Sequence, residues 1–142
     1  MPTIETTEMI DASPERVWEV LTDLESYPQW NPFITEGSGE AREGAKLKLR
    51  MQPPGGNAMN FTPTVLKADP GRELRWLGRL FVAGVFDGEH WFTLEPEGEG
   101  TRLVQGEKFS GILPRFMGKT LTKTEQGFEA LNSALKERAE RP

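Results

Sequence analysis

The sequence predicts an α+β fold in which a curved antiparallel sheet of about six to seven strands packs against one long C-terminal helix. Three observations predict this class. Short runs of alternating apolar and polar residues recur between Thr3 and Ser110, as in half-buried strands. The connections between these runs are too short for the crossovers that parallel strands need. From Met117 to Leu135, apolar residues instead recur at steps of three and four, as on one face of an α-helix.

The N-terminal segment is predicted to form one strand followed by two short helices. Thr3–Ile10 alternates apolar with polar residues and is the first strand. Ser13 is placed to cap a helix with Pro14 in its first turn, where the missing N–H of proline does no harm. This helix is expected to end near Asp23, which can cap a second short helix that Pro28 interrupts.

The middle of the chain is predicted to supply the remaining strands. One strand is expected to follow Trp30–Phe33, and the other expected ranges are Lys46–Met51, Asn57–Ala68, Arg72–Phe81, Val85–Glu95 and Thr101–Ser110. Pro63 indicates an edge or a bulge, because proline cannot donate a hydrogen bond to a neighbouring strand. The turn Glu97–Gly100 joins the last two strands into a hairpin. Residues 1–142 are expected to form a single domain.

The C-terminal helix presents a single apolar face. Its members are Met117, Leu121, Thr124, Phe128, Leu131 and Leu135. Gly127 lies within this helix, where glycine costs about 1 kcal/mol relative to alanine, and it therefore needs a packing reason. One helix laid across one curved sheet leaves space beneath it unless the facing side chains are very large. The predicted fold is therefore a candidate container for a ligand.

Composition and charge exclude several classes of function. The formal net charge is −5, and the short basic run Lys46–Arg50 follows two glutamates, so binding to nucleic acid is not expected. The chain has no cysteine, which removes disulfides and thiolate chemistry. It shows neither a signal-peptide pattern nor an apolar run long enough to span a membrane. We therefore expect a cytoplasmic protein without integral membrane association, as a monomer or homodimer.

Two neighbouring strands are predicted to direct polar side chains into the interior. Their inner faces carry Phe86, Gly88, His90, Phe92 and Leu94 on the first strand and Leu103, Gln105, Glu107 and Phe109 on the second. Burial without a partner costs on the order of 1–3 kcal/mol for each polar group, so His90, Gln105 and Glu107 should bond to one another, to water or to a ligand. His90 and Glu107 could together serve as a general acid and base. The alternative is that His90 is a satisfied core group or only orients a ligand.

No metal and no cofactor are expected. His90 is the only histidine, and without cysteine a zinc or iron site would have to be built almost entirely from carboxylates. The sequence also lacks a nucleophile elbow, a phosphate-binding loop and a dinucleotide-binding fingerprint.

Aromatic residues are the second indication of a ligand. The residues predicted to line its site are Trp30, Phe33, Trp76, Phe86, His90, Phe92, Gln105, Glu107, Phe109, Phe116, Met117, Leu121 and Phe128. Such walls suit a flat or apolar molecule, although the same rings could simply fill the core. Gly78 and Gly88, at inward positions, either make room or mark bends in the sheet. Phe81–Val85 and Pro114 are predicted to border the cavity mouth.

Four strings carry a family resemblance. They are Ile10–Trp18 (IDASPERVW), Asp23–Phe33 (DLESYPQWNPF), Asp69–Trp76 (DPGRELRW) and Glu107–Leu113 (EKFSGIL). In this order they resemble the START-related SRPBCC superfamily, in its polyketide cyclase/dehydrase-like branch. The resemblance implies the helix-grip fold, a strongly curved antiparallel sheet wrapped around a long C-terminal helix with a ligand cavity between them. Its members include lipid and steroid carriers, aromatase/cyclases and co-chaperones, so the fold does not select an activity.

Three functions stay open at this point. The leading one is binding of a hydrophobic small molecule (a lipid, polyketide or aromatic compound) without transforming it. The first alternative is an enzyme of the polyketide cyclase/aromatase or hydrolase type that uses His90 and Glu107 as acid and base. The second is a co-chaperone-like interaction module that uses Leu77 and Trp91, which the strand pattern directs outward as exposed residues.

Overall fold

The computed structural model describes residues 3–80, 86–111 and 118–141. The chain begins with β1 (Thr3–Ile10), α1 (Pro14–Thr22) and a 3-10 helix (Leu24–Gln29). The middle strands are β2 (Ile34–Ser38), β3 (Lys48–Met51), β4 (Met59–Phe61), β5 (Thr64–Asp69) and β6 (Glu73–Leu80). The chain ends with β7 (Phe86–Glu97), β8 (Gly100–Ser110) and α2 (Gly118–Glu140). The predicted α+β class, with antiparallel strands and a long C-terminal helix, is confirmed.

The strands of the described ranges form two antiparallel sheets. The larger has five strands in the order β1-β8-β7-β6-β5, and the smaller has three in the order β2-β3-β4. An isolated bridge between Lys46 and Thr64 connects the two sheets. The prediction of one continuous strand over Asn57–Ala68 is wrong. The chain leaves the small sheet before Pro63 and enters the large sheet after it.

The first helix begins and ends for local reasons. The Ser13 hydroxyl oxygen accepts a hydrogen bond from the backbone N–H of Arg16 at 3.2 Å, as an N-cap does. Asp23 then accepts from the Ser26 hydroxyl at 2.7 Å at the start of the 3-10 helix. Pro28 lies inside that helix instead of ending it, and the last turn closes through the N–H of Trp30 on the carbonyl of Tyr27.

The β7–β8 hairpin sets the register of the interior. Its turn at Gly98, where φ is +61°, pairs Glu97 with Gly100. Counting outward from that pair places His90 opposite Glu107 and Phe92 opposite Gln105. On the flanking strands Trp76 lies beside His90, and Thr6 lies beside Gln105. Strand alternation directs all of these side chains to the same face of the sheet.

Helix α2 covers this inner face. Phe128, Leu131 and Leu135 of the predicted apolar stripe are buried, Leu121 and Thr124 are half-buried, and Met117 lies outside the described residues. A Cβ atom built on Gly127 would lie 2.3 Å from the ring of Phe33. The glycine therefore lets that ring approach the helix backbone. Within the described ranges, no helix combines the length and hydropathy needed to cross a bilayer.

Candidate functional site

The centre of the inner face is a close pair between His90 and Glu107. Nδ1 of His90 lies 2.7 Å from Oε1 of Glu107, across the β7–β8 ladder. His90 is only 3 % exposed, whereas the side chain of Glu107 is 18 % exposed. The pair therefore has an enclosed end at the imidazole and an accessible end at the carboxylate.

Aromatic rings hold the imidazole in place. Trp76 stacks on His90 with 4.9 Å between ring centroids and an angle of 15° between planes. Phe128 of α2 meets the imidazole edge-on at 4.9 Å, and Phe92 lies at 4.8 Å. Because the imidazole has rings on several sides, its orientation is determined by packing as well as by hydrogen bonds.

A chain of buried amides continues from the other imidazole nitrogen. Nε2 of His90 lies 3.0 Å from Oε1 of Gln105. The Gln105 amide N–H groups donate to the backbone carbonyl of Phe128 at 3.2 Å and to Oδ1 of Asn132 at 2.7 Å. Asn132 donates to the Thr6 hydroxyl at 2.7 Å, and that hydroxyl donates to the carbonyl of Gln105 at 3.1 Å. This series of hydrogen bonds, called the amide chain below, joins α2 to β1 and β8 through the interior.

Two backbone carbonyls determine which group donates and which accepts in each hydrogen bond of the amide chain. A carbonyl only accepts, so the Gln105 group facing Phe128 is its NH2, and the Thr6 hydroxyl must donate to the carbonyl of Gln105. The Gln105 oxygen consequently faces His90 and can only accept. Nε2 of His90 therefore carries a hydrogen, and the histidine tautomer is set by groups that do not touch the cavity.

Glu107 forms part of the wall of a small cavity. The lining residues are Phe33, Ile34, Met51, Phe61, Trp76, Gly78, Gly88, His90 and Glu107. The cavity has a volume of about 30 Å³, room for one or two water molecules. The protein's own rings thus fill much of the space that the sequence predicted as a container. A Cβ atom on Gly78 would lie 3.4 Å from the Phe61 ring, an ordinary contact, so alanine could be accommodated here whereas a larger side chain would enter the cavity.

The predicted ligand-binding residues divide into four groups. Phe33, Trp76, His90 and Glu107 line the cavity, whereas Phe92, Gln105, Phe109, Leu121 and Phe128 pack around it without lining it. Trp30 packs edge-on against Tyr27 and borders a separate surface groove beside the end of α2. Phe116, Met117, Pro114 and 81–85 lie outside the described residues, and Phe86 is described only by its backbone. Their roles in binding stay predictions.

Sequence reasoning missed residues on both sides of the pair. Met51 and Phe61 line the cavity from the small sheet, and Asn132 and Thr6 complete the amide chain. Asn132 follows Phe128 by one helical turn, so the helical period could have identified it as inward-facing. No comparable signal exists for Phe61, because its place depends on how the small sheet packs on the large one.

Leu77 and Trp91 lie on the outer face of the sheet, as predicted, but the prediction that they are exposed is wrong. Both are half-buried, and the exposed large apolar residues of the described ranges are Met9 and Leu66. The Trp91 ring covers Gly106, where a Cβ atom would lie 2.4 Å from it, and the Arg75 guanidinium lies 5.0 Å from the ring centroid. Packing against Gly106 and a cation–π contact therefore account for this tryptophan.

Comparisons with known proteins agree with this architecture. The family model described as polyketide cyclase / dehydrase and lipid transport matches residues 1–140. Among solved structures, the protein TTHA0849 from Thermus thermophilus is 25% identical, with a TM-score of 0.77 and 97% of each chain covered. A START superfamily protein from Mycobacterium smegmatis is 25% identical over 97% of each chain, with a TM-score of 0.76.

A further solved structure shows the fold alone. The Zhui aromatase/cyclase from Streptomyces sp. R1128 is 22% identical, with a TM-score of 0.79, over 99% of this chain and 94% of its own. No curated protein matches the chain. The family description supports hydrophobic ligand binding or cyclase-type activity in general. The chain belongs to the polyketide cyclase/dehydrase and lipid transport family, a START-like SRPBCC branch with the helix-grip fold.

Proposed function

We propose that this domain binds a hydrophobic small molecule in the cavity beside Glu107, in the cytoplasm and without transforming it. The observation that carries the proposal is the composition of the cavity wall. Phe33, Phe61 and Trp76 supply apolar surface, and the Glu107 carboxylate is the accessible end of a polar pair whose histidine is enclosed.

The ligand enlarges the cavity by displacing part of its wall. Met51 and Phe61 are half-buried and belong to short strands of the small sheet. Trp76 and His90, in contrast, are buried in the central strands of the large sheet. An aromatic ring therefore enters on the side of Met51 and Phe61, and the His90 side remains in place.

A substitution that fills the cavity with a larger side chain tests this proposal. Gly78→Leu places a side chain on the inner wall beside Phe61. We expect it to weaken binding of the neutral dye N-phenyl-1-naphthylamine, followed by fluorescence, by at least about tenfold, since the dye loses the burial that favours it. Arg79→Leu is the matched control, because Arg79 is exposed on the opposite face of the same strand. Unchanged dye binding by a folded Gly78→Leu variant would place the ligand elsewhere.

A natural ligand can be identified by its mass. Native mass spectrometry of the protein purified from its own host should show a bound apolar molecule, and Gly78→Leu should release it. A protein that is consistently ligand-free, and that also fails to bind the dye, would contradict the binding function.

A second function is favoured by the 2.7 Å contact between His90 and Glu107 at the cavity wall. An acid/base pair in this position could promote cyclisation and dehydration of a poly-β-ketone. The test is turnover of a synthetic linear poly-β-ketone, followed by liquid chromatography. The enzyme hypothesis requires that His90→Ala and Glu107→Ala abolish turnover while dye affinity is largely retained. No turnover by the wild-type protein leaves binding as the function.

A further inference from the structure

Resting on the proposed function, we infer the chemical class of the ligand: an aromatic molecule that presents a neutral hydroxyl group to Glu107. The same geometry discriminates against ligands that present an ether or an ionised carboxylate at this position.

The 2.7 Å contact between Nδ1 of His90 and Oε1 of Glu107 limits where a hydrogen between the two groups can lie. Nε2 of His90 always carries a hydrogen, because it faces the accepting oxygen of Gln105. If Nδ1 also carries one, the imidazolium donates to an ionised Glu107; if it does not, a protonated Glu107 donates to Nδ1. At 2.7 Å, a state with no proton between Nδ1 and Oε1 would place two lone pairs against each other.

The second carboxylate oxygen is consequently an acceptor in either state. The shared proton lies on the side of Oε1, so Oε2 is either half of an ionised carboxylate or the carbonyl oxygen of the acid. Oε2 lies over Gly88, where an added Cβ atom would approach it to 2.0 Å, and Gly88 itself lines the cavity. No residue of the described ranges donates a hydrogen bond to it.

An accepting oxygen in an apolar wall selects for a donor. A ligand hydroxyl can donate to Oε2, whereas an ether or carboxylate oxygen would place its lone pairs against those of Glu107. The described lining contains no lysine or arginine that could neutralise a ligand carboxylate. The His90 imidazole of the described lining has both nitrogens bonded to protein groups, so neither is free to pair with a ligand carboxylate.

Three ligands with the same ring system test the inference: 2-naphthol, 2-methoxynaphthalene and 2-naphthoate, each titrated calorimetrically at pH 7. We expect 2-naphthol to bind at least about tenfold more tightly than either of the others, in line with the strength of a hydrogen bond to a charged group. Glu107→Leu should remove the preference for hydroxyl over methoxy. Glu99→Leu, which removes an exposed carboxylate in the β7–β8 turn, should keep it.

The possible outcomes distinguish a failure of the binding function from a failure of the hydroxyl preference. If none of the three ligands binds although N-phenyl-1-naphthylamine does, the cavity function stands and this inference is overturned; if the dye fails to bind as well, both fail. If the three bind equally, or 2-naphthoate binds best, the cavity function stands and the inference is overturned. A preference that persists in a folded Glu107→Leu variant overturns it as well. The wild-type series decides the question even where Glu107→Leu does not fold.

Discussion

The carboxylate of Glu107 occupies the volume that any side chain at position 88 would need. A Cβ atom built on Gly88 would lie 2.0 Å from Oε2 and 3.1 Å from Cδ of Glu107. Gly88 and His90 share one face of β7, two residues apart, so the carboxylate passes over the glycine to reach the imidazole. The missing side chain at Gly88 is therefore what allows the His90–Glu107 pair to form.

Gly88→Ala should separate this pair, because the flexible end of Glu107 has to move away from the added methyl group. Alanine is favoured over glycine in a strand by about 0.5–1 kcal/mol, but the buried Nδ1 of His90 loses its partner at a cost of about 1–3 kcal/mol, so we expect the free energy of unfolding to fall by up to about 2 kcal/mol. The 15N resonances of the imidazole should shift clearly, and His90 is the only histidine in the chain. Gly78→Ala is the control, because its Cβ atom would meet Phe61 at an ordinary 3.4 Å. Unchanged His90 resonances would contradict the prediction.

The amide chain predicts the tautomer of His90. In the neutral imidazole the hydrogen should be on Nε2, because the Gln105 oxygen can only accept. In Gln105→Leu this requirement disappears, and the neutral form with hydrogen on Nδ1 should become populated. Two-bond 1H–15N correlation spectra of 15N-histidine-labelled protein distinguish the two forms.

Asn132→Leu separates the tautomer effect from a general loss of structure. It should cost about 1–3 kcal/mol of stability, because buried polar groups lose a partner. It should nevertheless keep the hydrogen on Nε2, since the amide of Gln105 still donates to the carbonyl of Phe128. A wild-type spectrum with an unprotonated Nε2 would refute the hydrogen-bond directions assigned to the amide chain.

Gly127→Ala should destabilise the protein although it places a better helix former in α2. The gain in helix propensity is about 1 kcal/mol. The added Cβ atom would lie 2.3 Å from the ring of Phe33, and overpacking of this kind costs about 1–3 kcal/mol. Urea unfolding should therefore show a net loss for Gly127→Ala and no loss for Gln126→Ala, an exposed neighbour. Restored stability in the double variant Phe33→Leu/Gly127→Ala would identify the ring as the cause.

Tyr27 should remain un-ionised well above pH 10. Burial, assisted by the negative charge of Asp23, raises the pKa of Tyr27 above its usual value, and its hydroxyl donates to the carbonyl of Leu21. Because the folded pKa exceeds the unfolded one, this contribution to stability is complete below about pH 10 and decreases above it by up to about 1.4 kcal/mol per pH unit.

Tyr27 is the only tyrosine, so a tyrosinate band that appears at 295 nm belongs to it. Tyrosinate should appear together with alkaline unfolding, as monitored by circular dichroism. The same titration in concentrated urea should give an ordinary midpoint near about 10. Ionisation at an ordinary pH while the protein is still folded would show that the hydroxyl is accessible to solvent.

Much of the site follows from local sequence because a hairpin converts sequence distance into spatial position. His90 precedes Glu97 by as many residues as Glu107 follows Gly100, so a turn that pairs Glu97 with Gly100 also pairs His90 with Glu107. Alternation along the strands then places both side chains, with Gln105, on the inner face. The sequence also indicated an interruption at Pro63, but it did not indicate that the strands on either side of Pro63 belong to two different sheets.

The sequence by itself determined the order of elements, the hairpin register and the inward direction of His90, Gln105 and Glu107, because each of these depends on residues close together in the chain. Only the tertiary structure decided that Asn132 and Thr6 complete the amide chain and that Phe61 and Met51 close the cavity. Those contacts depend on how α2 and the small sheet lie against the large sheet. Packing of many side chains at once sets that arrangement, and no local pattern encodes it.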